Sequence, residues 1–323
     1  MPPADRHHPV KAPSSDSTYS LMDFMREYPD DAACLEHLWR SRYSADGTHA
    51  ECPKCERERV FKRYETKQGR QSWTCTACGH HVHPTAGTIF HKSSTSLHLW
   101  FYAMYLMAST RCGVSAKHLE RELGVNYRTA WRMMNRIRNV LMEQDDEPLS
   151  GNVEADETHW GGQPRLGQVE KFRKPGETDL SGAGGRWKAA KKSTVFAMVE
   201  RGGRVKAHVV PDRKRDTLQD HIVKFVLPRT TIFTDEWPSY TGLSKRYTHR
   251  RIRHSENVYV SGDVHTQTIE GFFSNLKRGI GGNYHSVSSK WLQGYLNEFA
   301  WRYNERDSRK AMFETLLIRA SDP

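Results

Sequence analysis

No stretch of about eighteen consecutive apolar residues occurs in the chain, so no helix of membrane-spanning length is encoded. The most apolar run, Leu97 to Met107, is too short and carries His98 near its start. Residues Met1 to Ser17 lack the apolar core of a secretory signal; rich in Pro, Ser, Asp and His, they read as a disordered arm. Acidic side chains are in the minority: 38 Asp plus Glu stand against 49 Lys plus Arg, a formal net charge of +11. That argues against an acidic linker protein and towards a polyanionic partner, nucleic acid ahead of a membrane surface. Cysteine is sparse, six residues in 323, which suits a reducing cytosol. What is present, 37% hydrophobic and 27% charged residues over this length, makes two or three domains with buried cores and wet surfaces.

Four of the six cysteines form two C-x2-C pairs, Cys52-Pro-Lys-Cys55 and Cys75-Thr-Ala-Cys78, with nineteen residues between them. Each pair presents two sulfurs from one tight turn, so together they can close a tetrahedral site for one structural Zn2+. Gly79 follows the second pair, where φ > 0 suits the turn. The intervening Val60, Phe61 and Tyr64, then Gln71 to Thr74, alternate as strands do. The pattern predicts a helical lead-in and zinc ribbon over 18–92, with two hairpins that each carry a knuckle at one end. Two disulfides or four free thiols are the competing assignment. A redox C-x-x-C does not fit, because neither pair opens a helix after a strand. Cys34 and Cys112, in apolar helical surroundings, read as core thiols.

Residues 93–147 read as a helix-turn-helix DNA-binding domain. Leu97, Trp100, Phe101, Met104 and Met107 recur at the spacing of a buried helix face. Ser115 can cap a second helix through Leu119 and Leu123, Gly124-Val125-Asn126 makes the turn, and Tyr127 to Met142 forms a third. In that third helix Ala130, Met133, Met134, Ile137 and Val140 face inward, and Arg128, Arg132, Arg136 and Arg138 decorate the other faces. No acid lies between Tyr127 and Met142. A basic second helix after a Gly-containing turn can enter a major groove and touch phosphates. An ordinary three-helix unit with a solvated basic face shares this spacing. The acidic stretch Glu143 to Glu147, ending at Pro148, reads as a linker.

Residues 148–323 hold the chemistry. A strand carrying Asp156-Glu157 is ended by Gly161-Gly162; two more, Ser193 to Glu200 and Arg204 to Val210, are joined at Gly202-Gly203 as a hairpin. A helix over Asp216 to Val226 precedes a strand, Thr230 to Thr234, that delivers Asp235-Glu236. A later helix, Thr268 to Lys277, carries Glu270, and Trp291 to Tyr303 is a further amphipathic helix. This order is that of an RNase H-like mixed-sheet α/β domain, in which the first and fourth strands lie side by side. Three carboxylates brought together suit two Mg2+ (or Mn2+) ions about 3.5–4 Å apart, in-line on a phosphodiester. Singly, each acid is also explained as a turn, cap or solvated residue. The order does not decide between the members of Asp156-Glu157 and Asp235-Glu236, since a one-residue slip reverses a strand's faces. Basic residues surround these acids: Lys277 and Arg278 on the Glu270 helix, Arg250 and Arg251 within Lys245 to His254, and a Gly-rich stretch, Arg165 to Lys192, with Trp187. Each can follow a phosphate backbone.

The stretches Cys34-Leu-Glu-His-Leu38, Thr85-Ala-Gly-Thr-Ile-Phe-His-Lys92 and Leu99-Trp100-Phe101 accompany the cysteine pairs. With Val153-Glu-Ala-Asp-Glu-Thr158, Thr234-Asp-Glu-Trp-Pro-Ser-Tyr240, His265-Thr-Gln-Thr-Ile-Glu-Gly-Phe-Phe273 and Leu276-Lys-Arg-Gly-Ile280, they resemble, in this order and from about Tyr19 onward, insertion-sequence DDE transposases of the IS1595, or ISXO2-like, family. The resemblance implies zinc ribbon, helix-turn-helix and RNase H-like catalytic domains, and selects Asp156, Asp235 and Glu270 as the metal-binding triad. Some relatives carry Asn for the last acid; this chain has Glu. His159-Trp160 departs from the Tyr-aliphatic pair common beside the first acid. His265 matches the family motif and is given a supporting role near DNA. The implied protein is a cytoplasmic, nucleoid-associated bacterial transposase, a homodimer or larger assembly on DNA. It would bind terminal inverted repeats, cleave to a 3′-hydroxyl and join it to target DNA. The rivals are a non-catalytic DNA-binding regulator, which needs no acid triad, and a nuclease or resolvase on the same fold, which yields no joined product.

Overall fold

In the computed structural model, residues 19–65, 71–161, 193–252, 265–308 and 310–322 are described. Contacts divide the chain into two units, Met1–Met142 with Glu305–Pro323, and Glu143–Asn304.

The first unit begins with α1 (Leu21–Glu27), closed by a reciprocal capping box between Ser20 and Asp23, and α2 (Asp31–Arg42), capped by Asp30. Strands β1 (His49–Cys52), β2 (Arg57–Glu65), β3 (Gln71–Cys75) and β4 (His81–Val82) follow as an antiparallel sheet in chain order. The expected two hairpins are present, with Cys52 to Cys55 at the β1–β2 turn and Cys75 to Cys78 at the β3–β4 turn. So small a sheet has little core of its own. Its Trp73 is buried by stacking on Trp39 of α2, ring centroids 4.9 Å apart and 9° from parallel.

Helices α3 (Leu97–Ser109), α4 (Ala116–Leu123) and α5 (Tyr127–Arg136) complete the order read from the sequence. The Ser115 hydroxyl accepts from His118 N–H, Gly124 ends α4 at φ 62°, and the Asn126 side chain accepts from Thr129 N–H to start α5. Beyond α5 two expectations fail. Arg138 is buried and Val140 is exposed, the reverse of the 3.6-residue reading. The cause is a π-helical turn over Ile137–Leu141, whose wider pitch advances the register and carries Arg138 and Leu141 inward. Cys112, expected in the core, is exposed in the turn after α3, whereas Cys34 is buried.

The second unit is built on a five-stranded mixed sheet in the order β7-β6-β5-β8-β9: β5 (Asn152–Trp160), β6 (Ser193–Glu200), β7 (Val205–Val210), β8 (Thr231–Thr234) and β9 (Thr248–Arg251). The β6–β7 hairpin turns at Gly202-Gly203 as the glycine pair requires. β5 runs antiparallel to β6 and parallel to β8, so the first and fourth strands of this unit are neighbours, as expected. β6 is buried along almost its whole length rather than on alternate residues, because helices cover both faces. Beneath one face, Leu218, Ile222 and Phe225 of α6 (Arg215–Phe225) meet Val153, Ala155, Phe196, Met198 and Ile232. On the other, α7 (Gln267–Gly279) and α8 (Leu292–Asn304) bring Ile269, Phe272, Phe273, Leu296 and Phe299 onto Val195, Ala197, Val199 and Ala207. A last helix, α9 (Met312–Ser321), which the sequence reading did not anticipate, returns to the first unit and sets Phe313 edge-on to Phe24 and Tyr105.

Candidate active site and metal centre

Since Val153 and Ala155 point into the core over α6, the alternation of β5 turns Glu154, Asp156 and Thr158 to the face covered by α7. Glu157 faces the other way: its Oε2 accepts from the Tyr240 hydroxyl at 2.6 Å, and Arg213 lies 3.7 Å from Oε1. Glu154 of β5 stands level with Phe233 of β8; Asp156 lies two residues further along β5, and Asp235 just past the end of β8. The Asp235 carboxylate accepts from Trp237 N–H at 3.0 Å, a turn that starts the chain away from the sheet. Glu270, exposed in the first turn of α7, accepts from the Thr266 hydroxyl at 3.1 Å.

An open cleft of about 490 Å³ is lined by Asp156, Thr158 and Glu270, with Glu157 at its rim and Lys277 and Arg278 on the α7 side. Asp235 is not part of that lining, although its charge reaches Asp156. Among the described residues, no three carboxylates place an oxygen within 4.8 Å of one another. Burial, then the charges of Glu157, Asp235 and Glu270, push the Asp156 carboxyl up to about 8, against a hydrogen bond from Glu157 N–H. Hard carboxylate oxygens around an open, electron-rich cleft are a donor set that suits a divalent cation of the Mg2+ type.

The Asp156 shift has a consequence for stability in buffer free of Mg2+ and Mn2+. Below about pH 4 the carboxyl is protonated in folded and unfolded chains alike. Between there and about pH 8 the unfolded chain has released a proton that the folded one still holds. Stability is therefore full at the acid end of this window and is lost as the pH rises through it. The urea midpoint of wild type is expected to fall relative to that of Asp156→Asn between pH 5 and pH 8; parallel profiles would contradict the shift.

In the other unit the sulfurs of Cys52, Cys55, Cys75 and Cys78 all lie within 4.8 Å of one another, with Cys52 and Cys78 at 3.6 Å. A tetrahedral ion with bonds of about 2.3 Å requires sulfurs roughly 3.8 Å apart, so this cluster can hold a metal and is consistent with a zinc ribbon. Burial alone would raise the Cys75 thiol. The backbone N–H groups of Cys78 and Ala77, with the Cys78 and Cys52 thiols, outweigh it and bring Cys75 down to about 7. Cys78 moves the other way: against a hydrogen bond from His80 N–H, burial and the Cys55, Cys52 and Cys75 thiols push it up to about 12, so the cluster favours one negative sulfur at Cys75.

The basic side chains are placed as follows. Arg128, Arg132 and Arg136 are exposed on α5; Arg250 and Arg251 are exposed on β9, the edge strand; Lys277 and Arg278 are exposed on α7. The basic stretch Arg165 to Lys192, and Arg253-His254 of the other run, lie outside the described residues. His265 is half-buried, with Nδ1 3.2 Å from the Glu154 carboxylate. Sequence reasoning passed over Glu154, which is wholly buried, and Arg201, whose Nε–H donates to it at 2.7 Å. The available signal was the strand alternation itself. A charge between Val153 and Ala155 would face water only if the opposite side of the sheet were open.

Residues 148–304 match the ISXO2-like transposase domain, a span that ends where the second unit ends. A protein of Halobacterium salinarum, described as an uncharacterized protein in transposable element ISH50, is 29% identical over 282 residues, 82% of this chain and 91% of its own length.

Proposed function

Because the chain belongs, through residues 148–304, to the ISXO2-like transposases, we propose that it is a DNA transposase that cuts element ends to a 3′-hydroxyl and joins them to target DNA. The observation that supports this reading is the register of β5 and β8, which pairs Glu154 with Phe233, each two residues before an acid of the proposed triad. Glu270 lies on the helix over the same face, and the charges of Asp235 and Glu270 both act on Asp156. The unit from 148 onward is accordingly read as an RNase H-like catalytic domain.

Asp156, Asp235 and Glu270 would hold two Mg2+ (or Mn2+) ions, which when bound stabilise the attacking and leaving oxygens of an in-line displacement. The chain's own residues do the rest. Asp156 lines the cleft, and the carboxylate of Glu157, at its rim, is engaged by Tyr240 and Arg213. Lys277 and Arg278 supply positive charge where a phosphodiester would lie.

The first unit reads as the DNA-binding half: a zinc ribbon over 18–92, with Zn2+ on Cys52, Cys55, Cys75 and Cys78, and a helix-turn-helix over 93–147, formed by α4, its turn and α5. Two element ends each need a triad, so a homodimer or larger assembly on DNA fits the reaction. A nucleoid-associated place in a bacterial cytoplasm follows from the same reading.

The deciding experiment incubates the protein with Mg2+ and a duplex that ends in the terminal repeat found beside its gene. Cleaved ends and joined products are expected. Binding without cleavage would leave a regulator, and cleavage without joining a nuclease. DNA affinity is expected to fall with salt, log K changing by about 0.9 per log salt for each phosphate contacted. Replacing Arg128, Arg132 and Arg136 by Ala should shallow that slope by about one contact each; an unchanged slope would remove α5 from the interface.

A further inference from the structure

We propose that Glu154 and Arg201 are positioning residues, a buried carboxylate–guanidinium pair that holds the three acid-bearing elements in one register. The inference rests on the metal-site reading above and concerns side chains that ligate nothing themselves.

Helix α7 has no cap of its own, since the Thr266 side chain bonds to none of its first-turn N–H groups. Those groups need acceptors, and the helix end favours negative charge. Both are supplied from the sheet. Glu154 Oε2 accepts from the N–H groups of Thr268 and Ile269 at 2.9 and 3.0 Å, and Oε1 accepts from the Thr268 hydroxyl at 2.9 Å. The cap of the Glu270 helix is therefore the residue two before Asp156 on β5. Because hydrogen bonds are directional, this fixes where α7 begins relative to β5, which an apolar contact of equal size would not do.

Arg201, in the turn between β6 and β7, carries the tie to the third element. Its guanidinium donates to Glu154 at 2.7 Å and to the His265 carbonyl, five residues before Glu270, at 2.8 Å. It also lies over the ring of Phe233, 4.0 Å from its centroid and two residues before Asp235. Its backbone N–H is anchored on the Asn152 carbonyl at 2.9 Å. One network thus touches β5, β8 and the start of α7, each within five residues of an acid. A buried ion pair is a weak source of net stability but a strong constraint on geometry, and ligands of a metal lose affinity when their supports are cut.

The test uses the full-length, zinc-loaded protein titrated with Mn2+, free ion being read by electron paramagnetic resonance. Glu154→Gln is expected to weaken Mn2+ binding by about tenfold or more, with the urea midpoint of the first unit and the DNA affinity without divalent cation retained. Arg201→Lys keeps the charge beside Glu154 but loses the fork and the contact with Phe233. It is expected to weaken Mn2+ in the same sense, and it carries the test if Glu154→Gln does not fold. Asp156→Asn is the reference. If it binds Mn2+ as wild type does, the metal-site reading fails and this inference with it. If Asp156→Asn loses the ion while Glu154→Gln, or Arg201→Lys in its place, binds within about twofold of wild type, the positioning role alone is overturned.

Discussion

Asp156→Asn is expected to lower Mg2+-dependent strand cleavage by about a thousandfold or more, equivalent to roughly 4 kcal/mol of transition-state stabilisation. Binding of the same duplex without divalent cation should change little. The loss should be largest at this position because Asp156 lines the cleft and is the acid on which the charges of both others act. Glu270→Gln, at an exposed site on the rim of the cleft, should be less severe. Glu157→Gln is the informative contrast. Its carboxylate is directed to Tyr240 and Arg213 on the far side of the strand, so the chemical formula changes by as much as in Asp156→Asn while cleavage falls far less. Gel assay of the nicked product under single-turnover conditions separates these outcomes. Comparable rates for wild type and Asp156→Asn would remove the strand doublet from catalysis.

The second large effect is the loss of the cysteine-bound metal. Structural zinc in comparable small modules contributes apparent binding energies on the order of 10–16 kcal/mol. The β1–β4 sheet has few apolar residues with which to compensate. Chelation, or Cys75→Ser, is expected to unfold residues 49–82 and abolish specific binding of the element end. The stacked indoles of Trp39 and Trp73, both wholly or nearly buried, provide the reporter. Their near-ultraviolet circular dichroism should collapse, and emission shift to the red, as the metal leaves. Metal analysis should return one zinc per chain beforehand. A metal-free chain with unaltered indole signals would show that the ribbon stands without its ion.

Much of this architecture was legible before any coordinates. The C-x2-C spacing gave both hairpins, and the Gly202-Gly203 turn gave the β6–β7 pair. The alternation at Val153 and Ala155 marked a strand there but left open which of Asp156 and Glu157 faces inward. Short-range signals of this kind are written into turns, caps and periodicity. What was not legible depends on distant partners. The π-turn that exchanges Arg138 and Val140 follows from packing, as a periodicity count assumes a constant pitch. Strand β9, a basic edge with no apolar alternation, exists because β8 offers it a free ladder. Glu154 was passed over because its burial requires α7, more than a hundred residues away in sequence, to lie over the strand. The adjacency of β5 and β8 was legible only as an order of elements; its register came from the ladder between them.

The return of α9 to the first unit bears on how the protein is made. Synthesis proceeds from the amino end, so Phe24 leaves the ribosome almost three hundred residues before Phe313, the ring that closes over it. The first unit is thus closed by a segment made long after its opening helices. A chain cut short after the second unit would leave Phe24 and Tyr105 uncovered, an aggregation-prone surface. Correct packing of the first unit therefore waits on the synthesis of α9.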